Sequence, residues 1–148
     1  MMSGTQDYDR KYVRSIEGIC KLACLLSSFI GFLCILCAPV RVSNFRGSFY
    51  LAVAIIGFLA TLTLLLARLL HLWQRLCCRC DSTLWSLGVH LALAISYFLA
   101  SGMVLSLDLA SYTAAAFFGL IAFSINAVEA YVNWKRSRQR DMATQTMA

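Results

Sequence analysis

The sequence contains four long stretches without a single Lys, Arg, Asp or Glu, and these stretches constrain the fold more than any other feature. They cover residues 22–40, 47–67, 82–107 and 109–128, and they are 19, 21, 26 and 20 residues long. A helix needs about 20 apolar residues to cross a hydrocarbon core about 30 Å thick. Each stretch must be helical, because lipid offers no hydrogen-bond partners to backbone N–H and C=O groups. The sequence therefore predicts an all-α membrane protein, a bundle of four transmembrane helices.

Asp108 alone separates the last two stretches. A single helix over these 47 residues would be about 70 Å long at 1.5 Å per residue, so we expect two helices and a tight hairpin around 107–111. A soluble helical core would carry polar faces and more charge, whereas only 14% of this chain is charged. The predicted organisation is an N-terminal segment 1–21, a four-span domain 22–134 with spans at about 22–40, 47–67, 84–107 and 109–130, and a basic tail 135–148.

The distribution of basic residues predicts the orientation in the membrane. The N-terminal segment and the C-terminal tail carry four Lys or Arg each, the second loop three, the first loop two and the third turn none. Under the positive-inside rule both termini are cytosolic, with eleven basic residues on that side and two on the other. The expected partners of the cytosolic face are anionic lipid headgroups, at about 1 kcal/mol per basic residue. Nothing in the sequence points to a nucleic-acid partner.

Three cysteines in the second loop, Cys77, Cys78 and Cys80, follow Arg75 at the predicted cytosolic edge of the membrane. Juxtamembrane cysteines beside basic residues are typical sites of S-acylation, and we expect this modification on at least one of them. The alternative is three reduced thiols without a role. A zinc site needs four ligands, and no histidine accompanies these three.

Four ionisable residues lie within or at the ends of the predicted spans. Glu129 ends the fourth span at the depth where Lys21 begins the first and Arg68 ends the second. An ion pair among these three residues would lower the cost of holding a carboxylate at the membrane edge. His90 lies about 12 Å into the third span with no His, Cys or carboxylate one turn away along its helix. We expect a neutral imidazole that forms a structural hydrogen bond between helices rather than part of a metal site or a dyad.

The fourth span carries a face of small residues at helical spacing. Small side chains let helices approach closely in lipid, and an amide adds a hydrogen bond between them. This face is predicted to pack against the other three helices or against a partner's membrane span. Its members are Ser111, Ala115, Gly119, Ala122 and Asn126.

Catalytic and cofactor motifs are absent from the sequence. It contains no G-x-S-x-G and no H-E-x-x-H, and its eight glycines are scattered. We expect no catalytic residues, no cofactor, no metal site and no enzymatic activity. Val128, Tyr131 and Lys135 fit a proposed cholesterol motif, a pattern that only raises a hypothesis.

Several motifs resemble one family of four-span proteins. Residues 8–15 read Y-D-R-K-Y-V-R-S, residues 18–23 read G-I-C-K-L-A, and residues 114–122 read A-A-A-F-F-G-L-I-A, with Trp134 and Lys135 shortly after. In this order and spacing they resemble the MARVEL domain of the chemokine-like-factor type over nearly the whole chain. The myelin-and-lymphocyte and plasmolipin branch is the next most similar.

That resemblance implies a protein of vesicle trafficking and membrane apposition that influences the surface delivery of other membrane proteins. Its expected partners are lipids, including cholesterol, and other integral membrane proteins; whether it forms a homo-oligomer stays open. The expected location is the plasma membrane, endosomes or secretory vesicles. An alternative is a channel or transporter accessory subunit, which would need polar residues along a path through the membrane.

Overall fold

The computed structural model describes residues 15–38, 44–69 and 82–145. Within these ranges the chain forms four helices and no strand. They are α1 (Ile16–Leu36), α2 (Phe45–Leu69), α3 (Ser82–Leu105) and α4 (Ala110–Gln145). Each helix is long and apolar enough to cross a membrane. The predicted all-α four-helix membrane bundle is confirmed, and the chain is a multi-pass membrane protein.

Local hydrogen bonds explain where the helices begin and end. At the start of α1, Ser15 Oγ accepts the Gly18 backbone N–H at 3.3 Å, as a helix N-cap does. Between α3 and α4, Asp108 has a positive φ of 52°, a conformation that Asp tolerates better than most residues. The Leu107 N–H donates to Val104 O at 3.1 Å, and the Tyr112 N–H donates to Leu109 O at 2.9 Å. This tight turn makes α3 and α4 antiparallel neighbours.

Helix α4 continues well past the predicted end of its span at 130. It has 36 residues and is about 54 Å long, so it extends through most of the segment predicted as a separate tail. No Gly or Pro interrupts it after Gly119. Arg136 pairs with Glu17 in the first turn of α1, and Arg138 lies 5.0 Å from the Trp134 ring centroid. The first and last helices therefore meet at the same end of the bundle.

The four helices form a ring in chain order. Helix α4 packs mainly against α3 and α1, and α2 packs mainly against the same two helices. Helices α2 and α4 consequently lie on a diagonal. A hydrogen bond crosses that diagonal: Tyr50 of α2 donates its hydroxyl to Ala115 O of α4 at 2.6 Å.

Polar side chains line the core of the bundle, and large apolar side chains cover its outside. Nine of the ten largest fully buried side chains carry a polar atom, namely Tyr50, Tyr97, Tyr112, His90, Asn126, Thr61, Cys24, Ser28 and Ser101, with Val104 as the tenth. Exposed residues include Leu26, Ile56, Leu99 and Phe117. Because lipid tails are as apolar as leucine, helices in a membrane associate through close packing and hydrogen bonds rather than through apolar burial.

Three tyrosines occupy space that glycines of other helices leave open. A Cβ added at Gly57 would lie 2.8 Å from two atoms of the Tyr97 ring, and one added at Gly47 would lie 3.3 Å from Tyr112 Cε1. A Cβ at Gly31 would overlap the Tyr50 hydroxyl. The glycines thus set how closely each pair of helices approaches.

We predict that Gly57→Ala destabilises the bundle, because the new methyl group overlaps the Tyr97 ring and overpacking costs about 1–3 kcal/mol. Gly88→Ala is the matched control, since no atom lies within 4 Å of its added Cβ. There the alanine should raise stability slightly through helix propensity. Thermal unfolding of both variants in mild detergent measures the difference. A higher melting temperature for Gly57→Ala would contradict the packing of Tyr97 against Gly57.

Candidate functional site

A buried cluster of ionisable side chains lies at the end of the bundle where α1 begins. Lys21 Nζ of α1 lies 2.5 Å from Glu129 Oε2 of α4, and His90 Nε2 of α3 lies 2.7 Å from the same oxygen. The three residues are only 6%, 8% and 1% exposed. The His90 contact does not have the geometry of a ring N–H hydrogen bond. Glu129 Oε1 is buried without a hydrogen-bond partner among the described residues.

Helical periodicity brings these side chains inward. Lys21 lies one turn from Cys24 and two turns from Ser28 on the buried face of α1. Glu129 follows Asn126 by three residues on α4, and His90 precedes Tyr97 by seven on α3. Residues at these spacings share one face of a helix, so each member of the cluster extends a stripe that already faces the core.

Asn126 continues the cluster toward the middle of the bundle. Its Oδ1 lies 2.9 Å from His90 Nδ1. Its amide nitrogen donates to Ala122 O at 2.8 Å and to Cys24 Sγ at 3.3 Å. A chain of hydrogen bonds thereby joins α3, α4 and α1 around one buried amide.

A second group of hydrogen bonds lies one turn deeper. Ser28 Oγ donates to Cys24 O at 2.8 Å and lies 2.7 Å from the Tyr97 hydroxyl. Because the serine proton is used on the carbonyl, Tyr97 donates to Ser28. Together with the Asn126 contacts, these bonds form a column of polar groups from the edge of the bundle into its middle.

Two of the three residues among which the sequence predicts an ion pair do form one. Lys21 and Glu129 meet, whereas Arg68 is exposed and makes no ion pair within the described part of the chain. Arg68 instead lines a cavity of about 70 Å³ together with Lys21, Glu129 and Asn133. The physical reason is the ring order: Arg68 lies on α2, diagonal to α4, while Lys21 lies on a neighbouring helix.

His90, rather than Arg68, is the second residue that contacts Glu129. Its own helix offers no carboxylate, as the sequence shows, but the antiparallel α4 supplies Glu129. One signal in the sequence could have revealed this contact: His90 lies 18 residues before Asp108 and Glu129 lies 21 after it. In an antiparallel hairpin, residues nearly equidistant from the turn lie at nearly the same depth.

The small-residue face of α4 points into the protein's own bundle. Ala115, Gly119, Ala122 and Asn126 are buried, and Ser111 is half-buried. A Cβ at Gly119 would overlap Ser101 Oγ of α3 and would lie 3.0 Å from the Tyr50 hydroxyl of α2. The sequence left two alternatives open, packing against the other three helices or against a partner's span. Gly119 therefore packs against the protein's own helices.

Two further expectations from the sequence concern the loop cysteines and the possible metal ligands. Cys77, Cys78 and Cys80, the expected acylation sites, lie outside the described residues, so their modification stays a prediction. Within residues 15–38, 44–69 and 82–145, no group of three or more His, Cys, Asp or Glu side chains is placed to hold a metal ion.

Comparison of the chain with family models, with characterised proteins and with solved structures finds no match. The resemblance to the MARVEL family accordingly rests on the sequence motifs alone.

We predict that Lys21→Met lowers the free energy of unfolding by about 3 kcal/mol, the low end of the range for breaking a buried ion pair, because His90 still faces the carboxylate. Methionine keeps most of the length of the lysine side chain, so the loss reports the charge. Arg68→Met is the matched control and should change stability by about 0.5 kcal/mol or less. Equal losses in both variants, measured by unfolding in detergent, would contradict the pairing of Lys21 with Glu129.

Proposed function

We propose that this protein is a non-enzymatic membrane organiser that associates with lipids and other integral membrane proteins during vesicle trafficking, membrane apposition or surface delivery. The inverted distribution of side chains is the observation that supports this function best. Several polar side chains of the described core have hydrogen-bond partners inside the bundle, and many large Leu, Ile and Phe side chains are exposed on its outside. Such a bundle presents an apolar lateral surface to other molecules within the membrane.

Two shallow grooves on that lateral surface favour close contact with lipid. One has a volume of about 230 Å³ between α1 and α2, with Phe29, Phe32 and Phe58 in its lining. The other has a volume of about 380 Å³ between α3 and α4 and includes Tyr131 and Trp134. Tyrosine and tryptophan are typical of the membrane–water interface. Acyl chains or a sterol ring system would fill grooves of this kind.

The part of α4 beyond the predicted span adds a basic surface. Arg136 and Arg138 have partners within the protein, whereas Lys135 is exposed. Anionic headgroups attract basic residues at this distance from a span. The motifs that resemble the MARVEL family point to the same function, since members of that family organise and deliver other membrane proteins.

A deletion and rescue experiment tests the proposal. Loss of the protein should lower the surface amount of at least one integral membrane protein about twofold without changing its transcript. That client should also be enriched when a labelling enzyme is fused to the C-terminus. Wild type and Gly88→Ala should restore the client, whereas Gly57→Ala, with its disturbed helix packing, should not. The proposal fails if no membrane protein is enriched over an unrelated four-span control and deletion leaves surface protein amounts unchanged.

The buried polar column favours one alternative, a channel or transporter accessory subunit. Ion and proton paths through membrane proteins are usually lined by polar groups inside the helix bundle. Purified protein in liposomes that contain a pH-sensitive dye distinguishes the two functions. An organiser should leave the proton leak of the liposomes unchanged. A proton flux that His90→Gln abolishes would support the channel function instead.

A further inference from the structure

The groove between α3 and α4 has the length of one lipid chain in one leaflet. Its lining on α4 runs from Phe123 to Trp134, a distance of about 16 Å at 1.5 Å per residue. Half of a hydrocarbon core about 30 Å thick is about 15 Å. The groove has a volume of about 380 Å³, and apolar side chains such as Leu87, Ile95 and Ala127 line it. These dimensions match an acyl chain that lies along the two helices.

An aromatic pair lies at each end of this groove. At the inner end, the ring centroid of Phe98 on α3 lies 5.4 Å from that of Phe123 on α4. At the outer end, the ring centroids of Tyr131 and Trp134 are 6.1 Å apart. Tyrosine and tryptophan are typical of the membrane–water interface. The groove therefore begins at the depth of the lipid headgroups and ends near the middle of the membrane.

Two exposed basic side chains accompany the outer end of the groove. Arg138 Cζ lies 5.0 Å from the centroid of the Trp134 ring. Lys135 follows Tyr131 by four residues, so the two side chains share one face of α4. An arginine uses the face of its guanidinium in a contact with an aromatic ring, and its N–H donors lie along the edge. Those donors remain available to an anion at the end of the groove.

We propose that this groove binds one anionic glycerophospholipid, with an acyl chain between α3 and α4 and the phosphate at Arg138 and Lys135. The inference rests on the lipid association in the proposed function and names the lipid. A guanidinium can hold two phosphate oxygens by parallel hydrogen bonds, and the lysine ammonium adds a second positive charge. A zwitterionic lipid offers the same phosphate, but both basic side chains repel its own cation. The site consequently selects a headgroup with a net negative charge.

The groove between α1 and α2 lacks this combination of features. Its volume is about 230 Å³, and its lining on α2 runs only from Ala54 to Leu59, about 8 Å. Within the described part of the chain, no charged side chain belongs to that lining. A headgroup would have no partner there, so the α3/α4 groove is the one that fits a whole lipid.

The position of the groove also determines the leaflet from which the lipid comes. Trp134 lies two residues before Arg136, which pairs with Glu17 in the first turn of α1. This is the end of the bundle that the basic residues predict to be cytosolic. Anionic lipids such as phosphatidylserine give the cytosolic leaflet its negative surface potential. The predicted orientation thus places the groove in the leaflet that supplies its ligand.

Quenching of tryptophan fluorescence by brominated lipids detects the occupant of the groove. Trp73→Phe and Trp85→Phe leave Trp134 as the one remaining tryptophan of three. This parent protein is purified and placed in nanodiscs that mix phosphatidylserine with phosphatidylcholine, either of them brominated in the half of the acyl chain nearest the headgroup. Intensities are compared with those in unbrominated nanodiscs of the same headgroup composition. The parent should prefer phosphatidylserine about 25-fold, because each basic residue near an anionic headgroup contributes about fivefold.

Three glutamine variants test the headgroup contacts. Arg138→Gln and Lys135→Gln should each reduce the preference about fivefold. Arg68→Gln is the matched control, since it removes one positive charge at the same end of the bundle but on the diagonal helix α2, and it should leave the preference unchanged. The proposal is overturned if the parent shows no preference, or if Arg68→Gln lowers it as much as Arg138→Gln.

A larger side chain inside the groove tests the place of the acyl chain. Ala127→Phe fills part of the groove without changing any charge, so quenching by brominated phosphatidylserine should fall to the level that phosphatidylcholine gives. Ala92→Phe adds the same ring at an exposed position of α3 that does not line the groove, and it should have no effect. Equal quenching in both variants would show that the chain lies elsewhere, which contradicts the proposal.

The result does not depend on any client, because the nanodiscs contain no other membrane protein. A preference for phosphatidylserine would support the lipid site even if deletion of the protein changed no surface protein in cells. If deletion lowers a client but the purified protein shows no preference, the lipid site is wrong and the proposed organiser function stands.

Discussion

A polar atom inside the hydrocarbon core of a bilayer has no water to bond to, and the described structure follows from that constraint. Four helices satisfy their own backbone groups. Hydroxyl groups that face outward bond back to their own helix: Thr63 Oγ1 donates to Leu59 O at 2.7 Å, and Ser96 Oγ donates to Ala92 O at 2.8 Å. Several polar side chains that turn inward bond between helices, as Ser28 does with Tyr97 and Ser86 with Asn133.

Because apolar burial does not draw helices together in lipid, close packing and internal hydrogen bonds hold this bundle. Tyr97 and Tyr50 combine both effects. Each ring lies against a glycine of a neighbouring helix, and each hydroxyl finds a partner on another helix, Ser28 for Tyr97 and Ala115 O for Tyr50. A glycine thus gives the ring its space, and the hydroxyl bond fixes the depth at which the two helices meet.

The sequence predicts the fold well because each spanning helix can be identified from the length of its own charge-free stretch. Four charge-free stretches and Asp108 suffice for four helices and a hairpin. The extension of α4 to Gln145 was missed because a hydrophobic span shows where a helix leaves the membrane, but not where the helix ends. His90 was missed as a partner of Glu129 because pairing depends on which helices are neighbours, and a search along one helix cannot show that.

The ring order also explains why a lysine, rather than an arginine, pairs with Glu129. Lys21 and Arg68 reach the same depth, but α1 borders α4 whereas α2 lies across the bundle. Arg68, on the diagonal helix, would have to extend across the core to reach Glu129. It lines the cavity at the edge of the bundle instead. That cavity leaves the outer side of the cluster open to solution, while His90 and Asn126 close its inner side. The charged pair therefore lies where the cavity ends and the polar column begins.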